Sequence, residues 1–289
     1  MSDIIALSAP MRELLAAALD VAPTPTTVLI TGESGTGKEI VARFIHAMSP
    51  RAALPFTVVP SVTFEAPLVA QALQHQGTVV IDELSALPHE AQAKLLALLE
   101  APHSSRVIAT SNRALLGLLE RGALRSDLFY RLDVYPLHVP ALRERREDIA
   151  QLADTLLTRV AAGLGRTPFH LTGAALTALE GFDWPGNVRE LANVLERSAI
   201  RAKGPLLDAA DLPIEPARNS PSPFPSHLPL DLEHLERLAI GEALRRTGGN
   251  RTHAARLLRI GVRTLRQKLN GPSRASVIDE APTPMGDES

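Results

Sequence analysis

Cysteine is absent from the 289 residues. That excludes a disulfide scaffold, a thiolate zinc site and a cysteine nucleophile. A dominant charge is lacking as well. Thirty Lys and Arg stand against 32 Asp and Glu, for a formal charge of -2. The whole chain is therefore no basic coat for nucleic acid, and any such surface must be local. No apolar run is long enough to span a bilayer. The first ten residues carry Asp3 and no basic cluster ahead of an apolar stretch, so no secretory leader is read there. No Gly-x-Ser-x-Gly elbow occurs, and His46, His75, His89 and His103 lack metal-ligand spacing. What is present is 45% hydrophobic and 21% charged residues. That is enough for a sizeable core and argues against wholesale disorder. The expectation is a cytoplasmic protein without a membrane segment, built as one large domain or two.

Short β-rich runs at 27–30, 78–81 and 106–110 alternate with helical patterns such as 91–99, where Leu95, Leu98 and Leu99 share a face. Such alternation predicts a parallel sheet covered by helices. From 143 to 204 the strand signal stops. Ile149, Leu152, Leu156 and Leu157 form one helical stripe, Leu176 and Leu179 another, and Leu191, Val194 and Leu195 a third. The fold class read is therefore α/β, with a sheet subdomain over 1–140 and a helical lid over 141–212. Prolines crowd 213–230, which reads as an extended linker. A small all-α module follows at 231–271, and a tail at 272–289 with little to bury reads as disordered.

The strand ending at Ile30 runs into Gly32-Glu33-Ser34-Gly35-Thr36-Gly37-Lys38, and a helical run opens at Glu39. Glycines let successive backbone N–H groups turn inward around a phosphate. The helix adds its positive end, and Lys38 reaches the outer phosphates. Glu39 stands where such loops usually carry a Ser or Thr hydroxyl for magnesium. The strand 78–81 then delivers Asp82 and Glu83. Asp82 is placed to hold Mg2+ through its water shell and Glu83 to polarise an attacking water. Alone, that pair is more often a helix N-terminal cap; behind a phosphate loop it points to ATP.

In the C-terminal module, Asn250 is placed to cap a helix over 251–258. A turn at Arg259-Ile260-Gly261 leads to a second helix over 262–270, with Val262, Leu265 and Leu269 on its inner face. From 250 to 271 there are six cations and no carboxylate. This is a helix-turn-helix with a local basic footprint. Arg251 and Thr252 suit phosphate contacts; Arg263, Thr264 and Gln267 suit base edges, beside Arg266 and Lys268. Leu232, Leu235, Ala239, Ala243 and Leu244 suggest a preceding amphipathic helix able to form a dimer.

The string 30–39, with Glu after the lysine, resembles the AAA+ domain of bacterial enhancer-binding proteins, the sigma-54-dependent activators. The segments 92–96, 125–132 (Arg-Ser-Asp-Leu-Phe-Tyr-Arg-Leu), 140–149 and 184–191 (Trp-Pro-Gly-Asn-Val-Arg-Glu-Leu) are similar to family signatures. The string 249–258 resembles the family's Fis-type module, and 263–269 looks most like its flagellar-gene regulators. The resemblance implies roles residue by residue. Asn112, in a segment like sensor I, would read the γ-phosphate. Arg125 and Arg131 would be fingers reaching a neighbour's nucleotide, and Arg189 would be sensor II. It also implies a hexameric ring through the AAA+ module, binding to promoter or enhancer DNA, and RNA polymerase or a full-length family member as partner. Arg143, Arg145 and Arg146, interleaved with Glu144, Glu147 and Asp148, read as surface ion pairs.

Departures from the family pattern are concerted. The family's insertion bearing the sigma-contacting loop is absent between 56 and 78, and a second hairpin before sensor I is trimmed to 99–106. Pro60 stands where the family has an asparagine that couples the catalytic glutamate to the nucleotide. About two dozen residues precede the first strand, too few for a receiver or sensing domain. The reading is a DNA-binding regulator that keeps an ATP-binding module, with weak hydrolysis, and does not itself open sigma-54 promoters. Two alternatives stand beside it: an active AAA+ ATPase that remodels another target, and a modulator that co-assembles with a full-length relative.

Overall fold

The computed structural model describes residues 4–112, 115–214, 239–240, 243–245, 247, 250–258 and 260–270. They divide between two units, Met1–Ala217 and Arg218–Ser289. In the first unit, β1 (Val28–Thr31), β3 (Thr78–Asp82) and β4 (Arg106–Ser111) are buried along nearly their whole length. Strands covered on both faces need such unbroken apolar runs. β2 (Phe56–Pro60) and β5 (Tyr135–His138) close the edges, and the parallel order is β2-β3-β4-β1-β5. The edges also take the prolines, Pro60 and Pro136, where a missing N–H is best tolerated.

The period of two along β1 sorts its side chains between two cores. Val28 and Ile30 pack with Met11, Ala18, Val41 and Ile45 from α1 (Ala9–Val21) and α2 (Lys38–Ala47). Leu29 faces the opposite core. There Leu73, Leu95 and Leu128 come from α3 (Ala66–Leu73), α4 (His89–Glu100) and α6 (Ser126–Leu132), with α5 (Leu115–Glu120) beside them. Arg106, 1% exposed, donates to the carbonyls of Val21, Ala22 and Thr26, which ties the end of α1 to the start of β4.

The lid has its own core. α7 (Ile149–Leu164), α8 (Gly173–Gly181) and α9 (Asn187–Arg201) bury the three predicted stripes around Trp184. The indole donates to the Leu179 carbonyl at 2.8 Å and meets Phe182 edge-on. Truncating a ring so enclosed to Ala costs about 3–5 kcal/mol. One detail differs from the strand-free reading of 143–204: β6 (His170–Leu171) pairs in parallel with β7 (Leu206–Leu207). Two residues are too few to carry a periodic signal.

Between β2 and β3, residues 61–77 make a turn of 3-10 helix and α3; between α4 and β4, residues 101–105 make a short crossing. No hairpin projects from either connection. Among the described residues, no helix is long and apolar enough to cross a membrane.

In the second unit, α10 (Arg251–Leu257) and α11 (Val262–Asn270) fall where the sequence put them. Ile240, Ala243, Ala254, Ala255 and Leu265 form their core. The expected features at 215–230, Leu232, Leu235, Arg259 and 272–289 lie outside the described residues.

Candidate nucleotide site and nucleic-acid face

The phosphate loop leaves the carboxyl end of β1 and feeds α2, and the acidic pair leaves the carboxyl end of β3. β4 lies between them in the sheet. Ligands of open parallel sheets gather at those strand ends. Gly32, Gly35 and Gly37 all take positive φ (147, 79 and 103°), which bends the loop into a cradle. Lys38 is 9% exposed. Its ammonium donates to the carbonyls of Gly32 (2.8 Å) and Glu33 (3.1 Å). Burial pulls its pKa down, and the carboxylates of Glu83 and Asp82 oppose that shift.

Thr110 of β4 organises the acidic pair. Its hydroxyl donates to Asp82 Oδ1 at 2.6 Å and accepts from the Glu83 N–H at 2.9 Å. Glu83 sits in the left-handed region at φ +61°, a conformation that costs a non-glycine residue about 1–2 kcal/mol. Its Oε1 accepts from the Ser85 hydroxyl (2.5 Å) and from the Asn112 N–H (3.0 Å). Asn112 therefore reaches the acidic pair through its backbone. Pro60 pairs in register with Asp82 and has no side-chain amide to offer there.

The lid closes the other side. Arg189 donates to the Ser34 hydroxyl at 2.9 Å. Ser34, Lys38, Glu39, Asp82, Glu83 and Arg189 thus wall one open cleft. Thr36 is buried and donates to the Glu33 carbonyl. Glu39 pairs along α2 with Arg43. Arg125 and Arg131 are not among the cleft's lining residues: Arg125 caps the start of α6 and Arg131 lies within it. Arg125 forks onto Asp127, and Arg131 donates to the Leu99 carbonyl at 2.9 Å.

Two features escape the sequence. An apolar pocket walled by Ile5, Met11, Ile40, Val139, Leu156 and Val188 adjoins the cleft, sharing Gly37, Ile40 and Val188 with it. Its residues come from five separate segments, so no local pattern marks it. The basic cluster after Leu142 also needs correction. Arg146 and Arg143 both form partly exposed ion pairs, Arg146 with Asp183 at 2.7 Å and Arg143 with Glu33, so only Arg145 departs from the surface reading. Arg143 grips Glu33 of the phosphate loop at 2.9 and 2.5 Å. Arg145 is 4% exposed in the wall of the apolar pocket. It donates to the Thr36 carbonyl (2.6 Å) and to Met11 Sδ, its Nε has no partner, and burial lowers its pKa.

In the second unit, the Asn250 side chain accepts from the N–H groups of Thr252 and His253 at 3.1 Å, capping α10. Arg251, Thr252, Arg263, Thr264, Arg266 and Lys268 are all exposed, while Leu265 turns inward. Gln267 lies on α11; nothing further is described of its side chain.

Residues 5–142 match the model of the Sigma-54 interaction domain, 143–228 the AAA+ ATPase lid domain, and 231–270 the bacterial regulatory protein, Fis family. The regulatory protein AtoC of Escherichia coli is 35% identical over 307 positions, covering 92% of this chain and 67% of its own length. The transcriptional regulatory protein FlbD of Caulobacter vibrioides is 32% identical, covering 96% and 71%. Among solved structures, NtrX from Brucella abortus in complex with ATP superposes with a TM-score of 0.69 at 31% identity, covering 93% of this chain and 69% of that one.

Proposed function

Because the chain belongs to the family of sigma-54-dependent transcriptional regulators, DNA-binding proteins with an AAA+ module and a Fis-type helix-turn-helix, we propose that it binds ATP and promoter or enhancer DNA without itself opening sigma-54 promoters. The triphosphate lies in the cradle 32–38, and Lys38 exchanges its loop carbonyls for phosphate oxygens. The base enters the adjoining apolar pocket, whose wall includes the buried Arg145. Asp82 keeps one carboxylate oxygen for the water shell of Mg2+, since Thr110 engages the other. Mg2+ supplies charge neutralisation between the phosphates. Glu83 polarises the attacking water, Asn112 senses the γ-phosphate, and Arg189 reports it to the lid. Arg125 and Arg131 complete the site of a neighbouring subunit in a ring, where guanidinium groups stabilise charge on the transferred phosphoryl oxygens. Hydrolysis is weak, because Pro60 has no amide with which to direct Glu83.

One observation carries the regulatory half of this reading. The phosphate loop and acidic pair face each other intact, while the connections 61–77 and 101–105 stay close to the sheet. The alignment with AtoC supports it. Of 307 aligned positions this chain fills about 266, which is 92% of 289, so about forty positions of the relative have no counterpart here. A subunit without a projecting arm has nothing with which to push a polymerase. Control of flagellar genes belongs to the same proposal and rests on the recognition-helix string alone.

Two measurements test it. Calorimetric titration is expected to show ATP binding that Lys38→Ala abolishes. Transcription in vitro with sigma-54 polymerase is expected to yield no open complexes. Robust open-complex formation by this chain alone would sink the proposal.

A further inference from the structure

Asn187 is fully buried at the first position of α9, and its side-chain amide ties the start of the lid to the phosphate loop. Its Oδ1 accepts from the Leu142 N–H at 2.8 Å. Its Nδ2 donates to the Ser34 carbonyl at 3.0 Å and to the Glu33 carboxylate at 3.1 Å. The next residue extends the grip, Val188 N–H donating to the Gly35 carbonyl at 3.0 Å. The Asn187 backbone is left-handed, φ +53°, which Asn adopts more readily than other side chains. Its N–H closes a turn on the carbonyl of Trp184, whose buried ring anchors that turn. The approach is backbone to backbone: a Cβ on Gly35 would lie 2.4 Å from the Gly186 carbonyl oxygen.

These bonds set the peptide planes of the phosphate loop. In a trans peptide the C=O and the following N–H point in opposite directions. Holding the carbonyls of Ser34 and Gly35 on the lid therefore turns the N–H groups of Gly35 and Thr36 away from the lid. Anion cradles work by such aimed N–H groups. Asn187 also engages Glu33, the one carboxylate in the loop and a group that would otherwise repel a polyphosphate.

We propose that Asn187 is a positioning residue for nucleotide binding, the joint through which the lid holds the phosphate loop in its anion-accepting shape. The inference rests on the nucleotide-binding reading above. It predicts that ATP affinity follows the Asn187 amide rather than the stability of the lid.

Three variants of the full chain separate these. Asn187→Gly keeps the left-handed backbone and deletes the amide. Asn187→Asp keeps the shape and sets a carboxylate against Glu33. Asn187→Asp combined with Glu33→Gln puts a donor back opposite that carboxylate. ATP binding is read by calorimetry, and folding by the nucleotide-free melting temperature. Both single variants are expected to bind ATP at least about ten-fold more weakly. The double variant relieves the repulsion at Glu33 but gives the Ser34 carbonyl no donor, so it is expected to bind ATP more tightly than N187D and more weakly than the wild type. Wild-type affinity in both single variants would overturn the inference alone. So would wild-type affinity in the double variant, or affinities that simply track melting temperature. A folded wild-type chain that binds no ATP would overturn the nucleotide-binding reading and this inference with it.

Discussion

Glu33 is a carboxylate placed inside a loop shaped for anions, and its neighbours explain how it is kept there. Arg143 supplies two hydrogen bonds and Asn187 a third. The Arg143 bonds first, then that of Asn187, bring its pKa from 4.5 down to about 2. The side chain is 43% exposed, so solvent screens the pair and its contribution to stability is modest. The sign follows from linkage. A depressed acid contributes fully above its unfolded value near 4.5, and the contribution fades as pH falls toward 2. The bond between lid and loop is therefore expected to survive at pH 4. Carbon-13 NMR of the Glu33 carboxyl should titrate with a midpoint near 2, and Arg143→Ala should move that midpoint up toward 4.5. A wild-type midpoint already near 4.5 would refute the pairing. None of this is visible in the sequence. Glu33 and Arg143 stand 110 positions apart, and a run of alternating charges such as 143–148 looks like solvated surface until the fold buries Arg145 within it.

Whether an element could be read from the sequence depended on what its residues face. β1, β3 and β4 lie between two layers of helices, so each carries a central apolar run (Val28–Ile30, Val79–Ile81 and Val107–Ala109) and the runs stand out. α7, α8 and α9 bury one stripe each, and a 3.6 period reports that stripe directly. β5 has Pro136 at its centre and only Leu137 buried, which no propensity argument would have taken for a strand. The apolar pocket beside the cleft went unread for a related reason, being assembled from five segments. α10 and α11 were fully legible, because a cap, a turn and an amphipathic face are local features. Their chemistry makes a prediction of its own. Arg263, on the exposed face of α11, is proposed as a base-edge reader, so Arg263→Ala should lower affinity for the cognate operator by about 1–3 kcal/mol and relax its sequence preference. Arg251, at the start of α10, is proposed as a phosphate contact. Arg251→Ala should weaken all duplexes alike and reduce the salt dependence by about one counterion. Fluorescence titrations of specific and random duplexes across salt concentrations distinguish the two. Identical behaviour of the variants would remove the assigned division of labour.

The molecule as a whole combines parts with different reach. The cleft serves its own subunit, whereas Arg125 and Arg131 are proposed to serve a neighbour's. Arg125 is held on the surface by Asp127, an exposed pair weak enough to exchange for a phosphate. On the proposed function, a chain that keeps α6 and the phosphate loop but has only short connections at 61–77 and 101–105 would occupy a place in a ring, donate a finger and bind ATP, without adding an arm to the ring's push on the polymerase. Mixed with a full-length relative, it should therefore lower open-complex formation more steeply than it lowers ATP turnover, since each ring loses arms before it loses active sites. Arg125→Ala combined with Arg131→Ala should reverse the order, because such a subunit spoils its neighbour's hydrolysis directly. Co-elution of the two proteins with ATP present, followed by parallel turnover and transcription assays across mixing ratios, tests the point. If the proteins elute separately and neither activity changes, the chain works without relatives and its regulation rests on DNA occupancy by α10 and α11.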